Sequence, residues 1–270
     1  MKFVFNEEKN EERRRMLMMQ PTVEEGKALL AKDDTDAYAW YVYGKALSIQ
    51  KDYEAAIEAH SHGIACDPFY APNYFGRGGK MSLTGHLWSA LADYSMALHL
   101  DSSNWLYWYY RATTLNLAGY LEESIDDFRQ CMKVTDPKEH YPLVHWIYTT
   151  YVELGKYKEA EEALSLMDGT IEPPQMDYGY CRCVRLYKGM VKPEEFIDIP
   201  AMQKVVLPRE KRVELELNTM YYGLYCYWMV HGAPDKAADA IRELQKIAYP
   251  GAFGYTKSIP IAKKLGIIKE

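Results

Sequence analysis

The sequence predicts an all-α protein built as a solenoid of antiparallel helix pairs, because its residues recur in steps of 34. Large and small side chains occur at the same places in each 34-residue unit. Two helices that pack closely need this pattern, because small residues let the backbones approach and large ones fill the remaining gap. The glycines between the helices of a pair support the same architecture. The recurring residues are Trp40, Tyr74 and Trp108; Gly44, Gly78 and Ala112; Ala56, Ala90 and Ser124; His60, Tyr94 and Phe128.

A tight turn is predicted between the two helices of each pair. The turns fall at residues 50–52, 84–86 and 118–120, and the second and third of these contain Gly85 and Gly119. Glycine at the end of a helix permits a positive φ, which closes the helix and reverses the chain. Breaks such as Asp67-Pro68 then end the second helix of a pair.

The repeat continues less regularly through the second half of the chain. The stretch 151–163 keeps the pattern after two extra residues, which we place around residues 136–140. A fifth, degenerate unit follows, and Gly232 marks a sixth unit after nine extra residues. We place those nine residues in a proline-flanked linker, residues 199–209. Residues 37–247 are therefore predicted to form about six helix pairs, with insertions at the third-to-fourth and fifth-to-sixth junctions.

Both ends of the chain are predicted to cap the helix pairs. Residues 1–36 would form capping helices, since Thr22 and Glu25 have the spacing of a capping box. The basic run at residues 13–15 follows several glutamates, so a solvated helix face is expected there. Residues 248–270 would form the other cap, with an amphipathic helix at residues 258–267. End caps are expected because terminal repeats otherwise expose an apolar face.

The 34-residue pattern of Trp, Leu-Gly, Tyr, Ala, Phe, Ala and Pro resembles the tetratricopeptide repeat. The resemblance covers about residues 37–247 and is specific as to fold. It implies a right-handed superhelical solenoid and a non-catalytic scaffold or adaptor that binds a protein or peptide segment in its concave groove. Because the same fold serves many functions, the resemblance does not name the partner.

The same resemblance implies which side chains line the groove. In tetratricopeptide repeats these are the second, fifth, ninth and twelfth residues of each first helix, which lie on one helical face. Here they form an aromatic, weakly polar stripe suited to an extended peptide. The candidate binding residues are Tyr38, Tyr41, Lys45, Phe75, Tyr109, Thr113, Asn116, His145, Thr149 and Tyr222.

A carboxylate clamp, which some members of the family use to hold acidic tails, is not expected. The corresponding positions here are Tyr41, Lys45, Gly76, Leu106 and Tyr110, and they retain one cation. An acidic C-terminal tail is therefore not the predicted ligand.

Charge and composition narrow the class of partner. The formal net charge is −6, which argues against the basic face that a nucleic-acid binder needs. No apolar run approaches the roughly 20 residues of a membrane span. The 5 cysteines match no disulfide or zinc spacing, which is typical of a reducing compartment. We expect a cytoplasmic protein that binds neither nucleic acid nor membrane; the sequence carries no signal of its oligomeric state.

Two enzymatic interpretations compete with the scaffold. His62 and Cys66 in the run HSHGIAC could share a metal, and Cys183 or Cys226 could pair with His145 as nucleophile and base. Neither has a complete ligand set or a defined triad in the sequence. We expect no enzyme, cofactor or metal. A small-molecule or signal-peptide sensor is the main alternative, and a hydrolase or metal enzyme in the groove is the weaker one.

Overall fold

The computed structural model describes residues 18–172, 177–205, 212–247, 249 and 252–269, together with residues 11, 13, 15 and 16. In this part of the chain every regular element is a helix, so the all-α prediction is confirmed. The chain divides into two compact units, Met1–Thr135 and Asp136–Glu270, called unit 1 and unit 2 below.

Unit 1 consists of helices that pack in consecutive pairs. The second helix packs on the third, the fourth on the fifth and the sixth on the seventh, as the repeat predicts. The helices are α1 (Val23–Leu30), α2 (Ala37–Ile49), α3 (Tyr53–Cys66), α4 (Ala71–Leu83), α5 (Leu87–Leu100), α6 (Trp105–Leu117) and α7 (Leu121–Met132).

Unit 2 is less regular. Its first helix packs on its second, and its fifth and sixth helices form its most extensive pair. The helices are α8 (His140–Glu153), α9 (Tyr157–Ala163), α10 (Tyr178–Tyr187), α11 (Ile199–Val205), α12 (Arg212–Val230), α13 (Pro234–Ile247) and α14 (Phe253–Lys264).

The turns between paired helices have the predicted positive φ. Gly85 and Gly119 have φ of 84° and 87°, and Lys51 occupies the equivalent place in the first pair with φ 64°. A left-handed conformation is costly for a side chain such as that of Lys51, so the turn geometry is imposed by the packing of α2 against α3. Gly266 repeats the feature 34 residues after Gly232, with φ 65°. Helix α14 therefore occupies the place of a first helix after the pair of α12 and α13.

A buried ion pair joins the two helices of two successive pairs in unit 1. The guanidinium of Arg77 donates two hydrogen bonds to the carboxylate of Asp93, each 2.8 Å long. Arg111 bonds Asp127 in the same way at 2.7 and 2.8 Å. Each arginine also lies over an aromatic ring of its own helix, and for Arg111 this is the ring of Trp108 at 5.1 Å. The 34-residue repeat thus includes a recurring Arg–Asp ion pair as well as the recurring pattern of large and small side chains.

The ends of the units differ in part from the prediction. The capping box of Thr22 and Glu25 is confirmed. The terminal helix was expected at residues 258–267 and runs over Phe253–Lys264. It begins earlier because its first turn packs on α8, where the ring of Phe253 lies 5.3 Å from that of Trp146. The expected linker at residues 199–209 begins as the helix Ile199–Val205, and its remaining residues lie outside the described part of the chain.

Candidate binding face

Four of the ten predicted binding side chains reach the surface, and all four belong to the first helices of unit 1. Tyr38 is 40% exposed, and Lys45, Phe75 and Tyr109 are half-buried. They come from α2, α4 and α6, the first helices of the three regular pairs. We call the surface that carries these four residues the binding face.

The other three predicted residues of unit 1 are buried. Tyr41 lies against the ring of Tyr70 at 6.3 Å, and burial raises its pKa to about 12. Thr113 donates a hydrogen bond to the carbonyl of Tyr110, and Asn116 donates one to the hydroxyl of Ser124. These side chains pack between helices in this structure and present no surface to a ligand.

All three predicted residues of unit 2 are buried as well. The Nδ1 atom of His145 lies 3.1 Å from the Tyr187 hydroxyl, and burial lowers the pKa of His145 to about 3. This imidazole is therefore neutral at physiological pH. Thr149 is almost fully buried, and Tyr222 donates a hydrogen bond of 2.8 Å to Glu153.

The burial of Tyr222 has an identifiable cause, which is the position of α14, whereas His145 lies against the rings of Tyr180 and Tyr187 on α10, 5.2 and 6.0 Å away. Lys257 on α14 donates a hydrogen bond of 2.7 Å to Glu153 at the end of α8. The start of α14 lies against α12 so closely that a Cβ added at Gly254 would approach the carbonyl oxygen of Asn218 to 2.5 Å. Helix α14 thus covers Tyr222 of α12, whose Cβ would lie 3.2 Å from a Cβ added at Gly254. Gly266, in phase with the repeat, was the sequence signal for this helix.

A helical segment of the chain itself lies on the binding face of unit 1. Residues 11, 13, 15, 16 and 18 are helical, and we call these five residues the N-terminal segment. Lys45 donates a hydrogen bond of 2.8 Å from its Nζ to the carbonyl of Met16. Cations are favourable at the carboxyl end of a helix, where carbonyl oxygens lack intrahelical partners.

Arg13 is the second anchor of the N-terminal segment. Its Nη2 donates to Asp101 Oδ2 and to the Ser103 hydroxyl, both at 2.7 Å, and its Nη1 donates to the Ser103 carbonyl at 2.8 Å. The Arg13 side chain is only 10% exposed. The expectation of a solvated face is therefore wrong for Arg13, whereas Arg15 is 78% exposed as expected. A run of like charges in the sequence does not reveal which member meets a carboxylate far along the chain.

Asp101 belongs to a turn that recurs between helix pairs. Its Oδ1 accepts hydrogen bonds from the backbone N–H and the hydroxyl of Ser103. Asp67, 34 residues earlier, accepts a bond from the N–H of Phe69 in the same manner. The turn fixes the orientation of the Asp101 carboxylate and leaves its Oδ2 directed at Arg13.

Lys45 has an unusual electrostatic environment. Burial, and then the positive charge of Lys80, lower the pKa of Lys45 to about 8. Burial also lowers the pKa of Lys80. Lys45 of the binding face and the nearby Lys80 are therefore two crowded amines, which are stabilised by hydrogen-bond acceptors such as helix carbonyls.

A cleft of about 520 Å³ lies beside the N-terminal segment. Its walls come from residues 19–21, which follow that segment, and from the regions of α1 and α2, with Tyr38 of the binding face among them. The lining residues are Met19, Gln20, Pro21, Glu25, Ala28, Leu29, Lys32, Tyr38 and Val42. The volume lies within the range of small-ligand sites.

The metal interpretation of the HSHGIAC run finds no support in the geometry. His60 is buried with its Nδ1 3.0 Å from Asn73 Oδ1, and His62 stacks on the indole of Trp40 at 4.7 Å. Among the described residues, no group of three or more His, Cys, Asp or Glu side chains is placed to hold a metal ion.

The Cys–His interpretation requires an accessible thiol beside an imidazole. Cys183 is fully buried and its sulfur lies 3.7 Å from the Thr219 carbonyl, while His145 bonds the Tyr187 hydroxyl. Burial raises the pKa of both Cys183 and Cys226, which disfavours the thiolate that a nucleophile needs.

In the described ranges, no helix is both long and apolar enough to cross a membrane.

Comparison with known sequences gives a partial match. No protein-family model matches the chain. The protein bimA of Emericella nidulans is 24% identical over 106 residues, which are 39% of this chain. The chain spans only 13% of the length of bimA.

Comparison with solved structures gives similarity over most of the chain. A tetratricopeptide repeat protein from Parabacteroides merdae has a TM-score of 0.56 at 14% identity, covering 91% of each chain. YrrB, a tetratricopeptide repeat protein with an unusual peptide-binding site, has a TM-score of 0.53 at 12% identity, covering 90% of this chain and 100% of its own. A chain of the Cut9-Hcn1 hetero-tetramer of the APC/C scores 0.55 at 13% identity, covering 88% of this chain and 45% of its own. The chain therefore has the fold of these tetratricopeptide repeat proteins.

Proposed function

We propose that this protein is a non-catalytic scaffold that binds a helical segment of a partner protein on the binding face of unit 1. One observation carries the proposal: the face holds a helix of the chain itself, fixed at its carboxyl end by Lys45. A surface that accepts one helix supplies the contacts that a second helix needs. YrrB, which shares the fold, is a precedent for peptide binding.

The chemistry of the face suits a peptide. Tyr38 and Tyr109 offer broad apolar rings with a polar end, which bind at small cost in side-chain entropy. Phe75 is held by the rings of Tyr107 and Tyr110, each 5.2 Å away, so its position is fixed before a ligand arrives. A surface that is ordered in advance loses less entropy on binding.

A display selection of random peptides tests the proposal for a partner of any sequence. The target is the chain from residue 21 onward, which keeps α1 to α14 and leaves the face uncovered. Its folding is checked by circular dichroism. We expect random 16-residue peptides to be enriched that bind with micromolar dissociation constants. Lys45→Glu should weaken them at least tenfold, because it places a negative charge beside helix carbonyls.

Two further variants locate the binding surface. Tyr38→Ala should weaken the enriched peptides by about tenfold, as expected for loss of a central aromatic contact. Trp88→Ala is the matched control, since Trp88 is 67% exposed on the second helix α5. If no peptides are enriched, or if Trp88→Ala weakens them as much as the two variants of the face, the proposal is wrong.

A further inference from the structure

We infer that the N-terminal segment is a built-in competitor for the binding face, and that the partner displaces it by placing an arginine of its own helix between Asp101 and Ser103. This inference rests on the proposed function and adds to it the chemistry of the partner and a mode of control. We call Asp101, Ser103 and the adjacent Tyr107 the arginine pocket.

The arginine pocket matches a guanidinium in shape and in charge. Two nitrogens of Arg13 are engaged, one by Asp101 and the Ser103 hydroxyl and the other by the Ser103 carbonyl. A lysine ammonium is a single point of charge and cannot reproduce this forked arrangement. The pocket therefore selects arginine over lysine.

The pocket is ordered independently of its occupant. Ser103 holds Oδ1 of Asp101 through two hydrogen bonds of 3.1 and 2.6 Å, so Oδ2 keeps its direction. Tyr107 on α6 is buried, and burial followed by the charge of Asp101 raises its pKa. These contacts come from the turn and from α6, not from the N-terminal segment.

The two anchors also fix the direction of a bound helix. Arg13 lies at the turn before α6, whereas the carbonyl of Met16 lies at Lys45 on α2. The partner helix should therefore carry its arginine toward α6 and end near Lys45. A helix running the opposite way would place its amino end, which is electropositive, beside two lysines.

The covalent connection to α1 favours binding of the N-terminal segment over binding of a partner helix from solution. The segment ends only a few residues before α1 begins at Val23. A short tether of this kind acts as an effective concentration on the order of millimolar. A partner that binds the free face with micromolar affinity would then appear roughly a hundredfold or more weaker to the intact chain.

The closing experiment uses the full chain and a defined probe, a fluorescent peptide with the sequence of residues 1–20. Its affinity is measured by anisotropy for the wild type, for Arg13→Ala and for Arg15→Ala. We expect Arg13→Ala to bind the probe at least tenfold more tightly, because its own segment no longer competes. Arg15→Ala should equal the wild type, since Arg15 is exposed and pairs weakly with Glu11 at 3.9 Å.

The arginine pocket is tested by a second pair of variants in the Arg13→Ala background. Asp101→Asn keeps an acceptor for Ser103 but removes the charge, and should cancel the gain in affinity. Asp67→Asn, at the equivalent turn without this arginine contact, should preserve the gain. A probe with lysine in place of Arg13 should bind at least fivefold more weakly than the original.

The following results would contradict the inference. Equal probe affinity for Arg13→Ala and Arg15→Ala would overturn the built-in competitor, and equal effects of Asp101→Asn and Asp67→Asn would overturn the arginine pocket. If peptides selected on the chain from residue 21 still bind while the probe does not respond to Arg13→Ala, the inference fails and the proposed function stands. If neither kind of peptide binds, both fail.

Discussion

The ion pair between α6 and α7 gives the sharpest test of the forces that hold a repeat together. Arg111→Ala leaves the Asp127 carboxylate without its guanidinium, although that side chain is only 8% exposed. Truncating one partner of a buried pair costs about 3–5 kcal/mol. Because Arg111 is itself 23% exposed, part of the interaction is screened, and we expect a loss of about 3 kcal/mol in the free energy of unfolding.

The cause of this loss can be separated from the loss of packing. Burial raises the pKa of Asp127, and the hydrogen bonds of Arg111 oppose that rise. In Arg111→Ala the folded-state pKa should rise further above the unfolded value. The folded chain then binds more protons than the unfolded chain just above pH 4, so stability falls as pH rises through this range. The deficit of the variant should therefore shrink as pH is lowered from about 7 to 5.

Urea denaturation followed by circular dichroism measures these effects. The double variant Arg111→Ala/Asp127→Ala should be more stable than Arg111→Ala by about 1–2 kcal/mol, because the unpaired buried charge is gone. Arg15→Ala is the control, with an expected change below about 0.5 kcal/mol. A deficit for Arg111→Ala below about 1 kcal/mol, or one that does not change with pH, would refute the reasoning.

Two other predictions concern packing and titration. Gly76→Ala should lower the free energy of unfolding in urea by about 1–3 kcal/mol, since a Cβ there would meet the His60 ring at 2.4 Å. Gly79→Ala, whose nearest contact is 3.7 Å, should be neutral or stabilising in the same urea measurement. Because the pKa of Lys45 is lowered from 10.5 to about 8, the unfolded chain holds more protons between these values. Wild-type stability should therefore rise with pH in that window relative to Lys45→Met, and a constant difference would contradict this.

The parts of the fold that depend on local chemistry were predictable from the sequence. Glycine in the turns and the Thr22–Glu25 capping box follow from backbone and side-chain geometry within a few residues. Helix α11 was missed because Pro200 is its second residue and Pro208 follows it, and prolines usually mark a linker. The turn at Gly266 was available as a signal, and it identifies α14 as one more first helix.

The binding face was predictable only in part, because helical register does not determine what covers a face. Register placed Tyr41 and Tyr222 at the fifth place of their helices, and both are buried, whereas Tyr38 at the second place is exposed. Tyr222 is covered by α14, a helix that also reaches α8 through Lys257, 104 residues distant from Glu153 in sequence. The arginine pocket was missed for a similar reason, since Arg13 and Asp101 are 88 residues apart.

Each unit holds a terminal helical segment against its first helices, and the contacts indicate which one can exchange. Helix α14 buries Gly254, Ser258 and Ala262 against its neighbours, so its removal would expose closely packed surface. None of the described residues of the N-terminal segment is fully buried, and hydrogen bonds through Arg13 and Lys45 anchor it. Such bonds contribute about 1.5–3 kcal/mol each when a charge is involved, and a partner that offers the same groups replaces them without net loss. Exchange is therefore expected on unit 1, while α14 remains a structural part of unit 2.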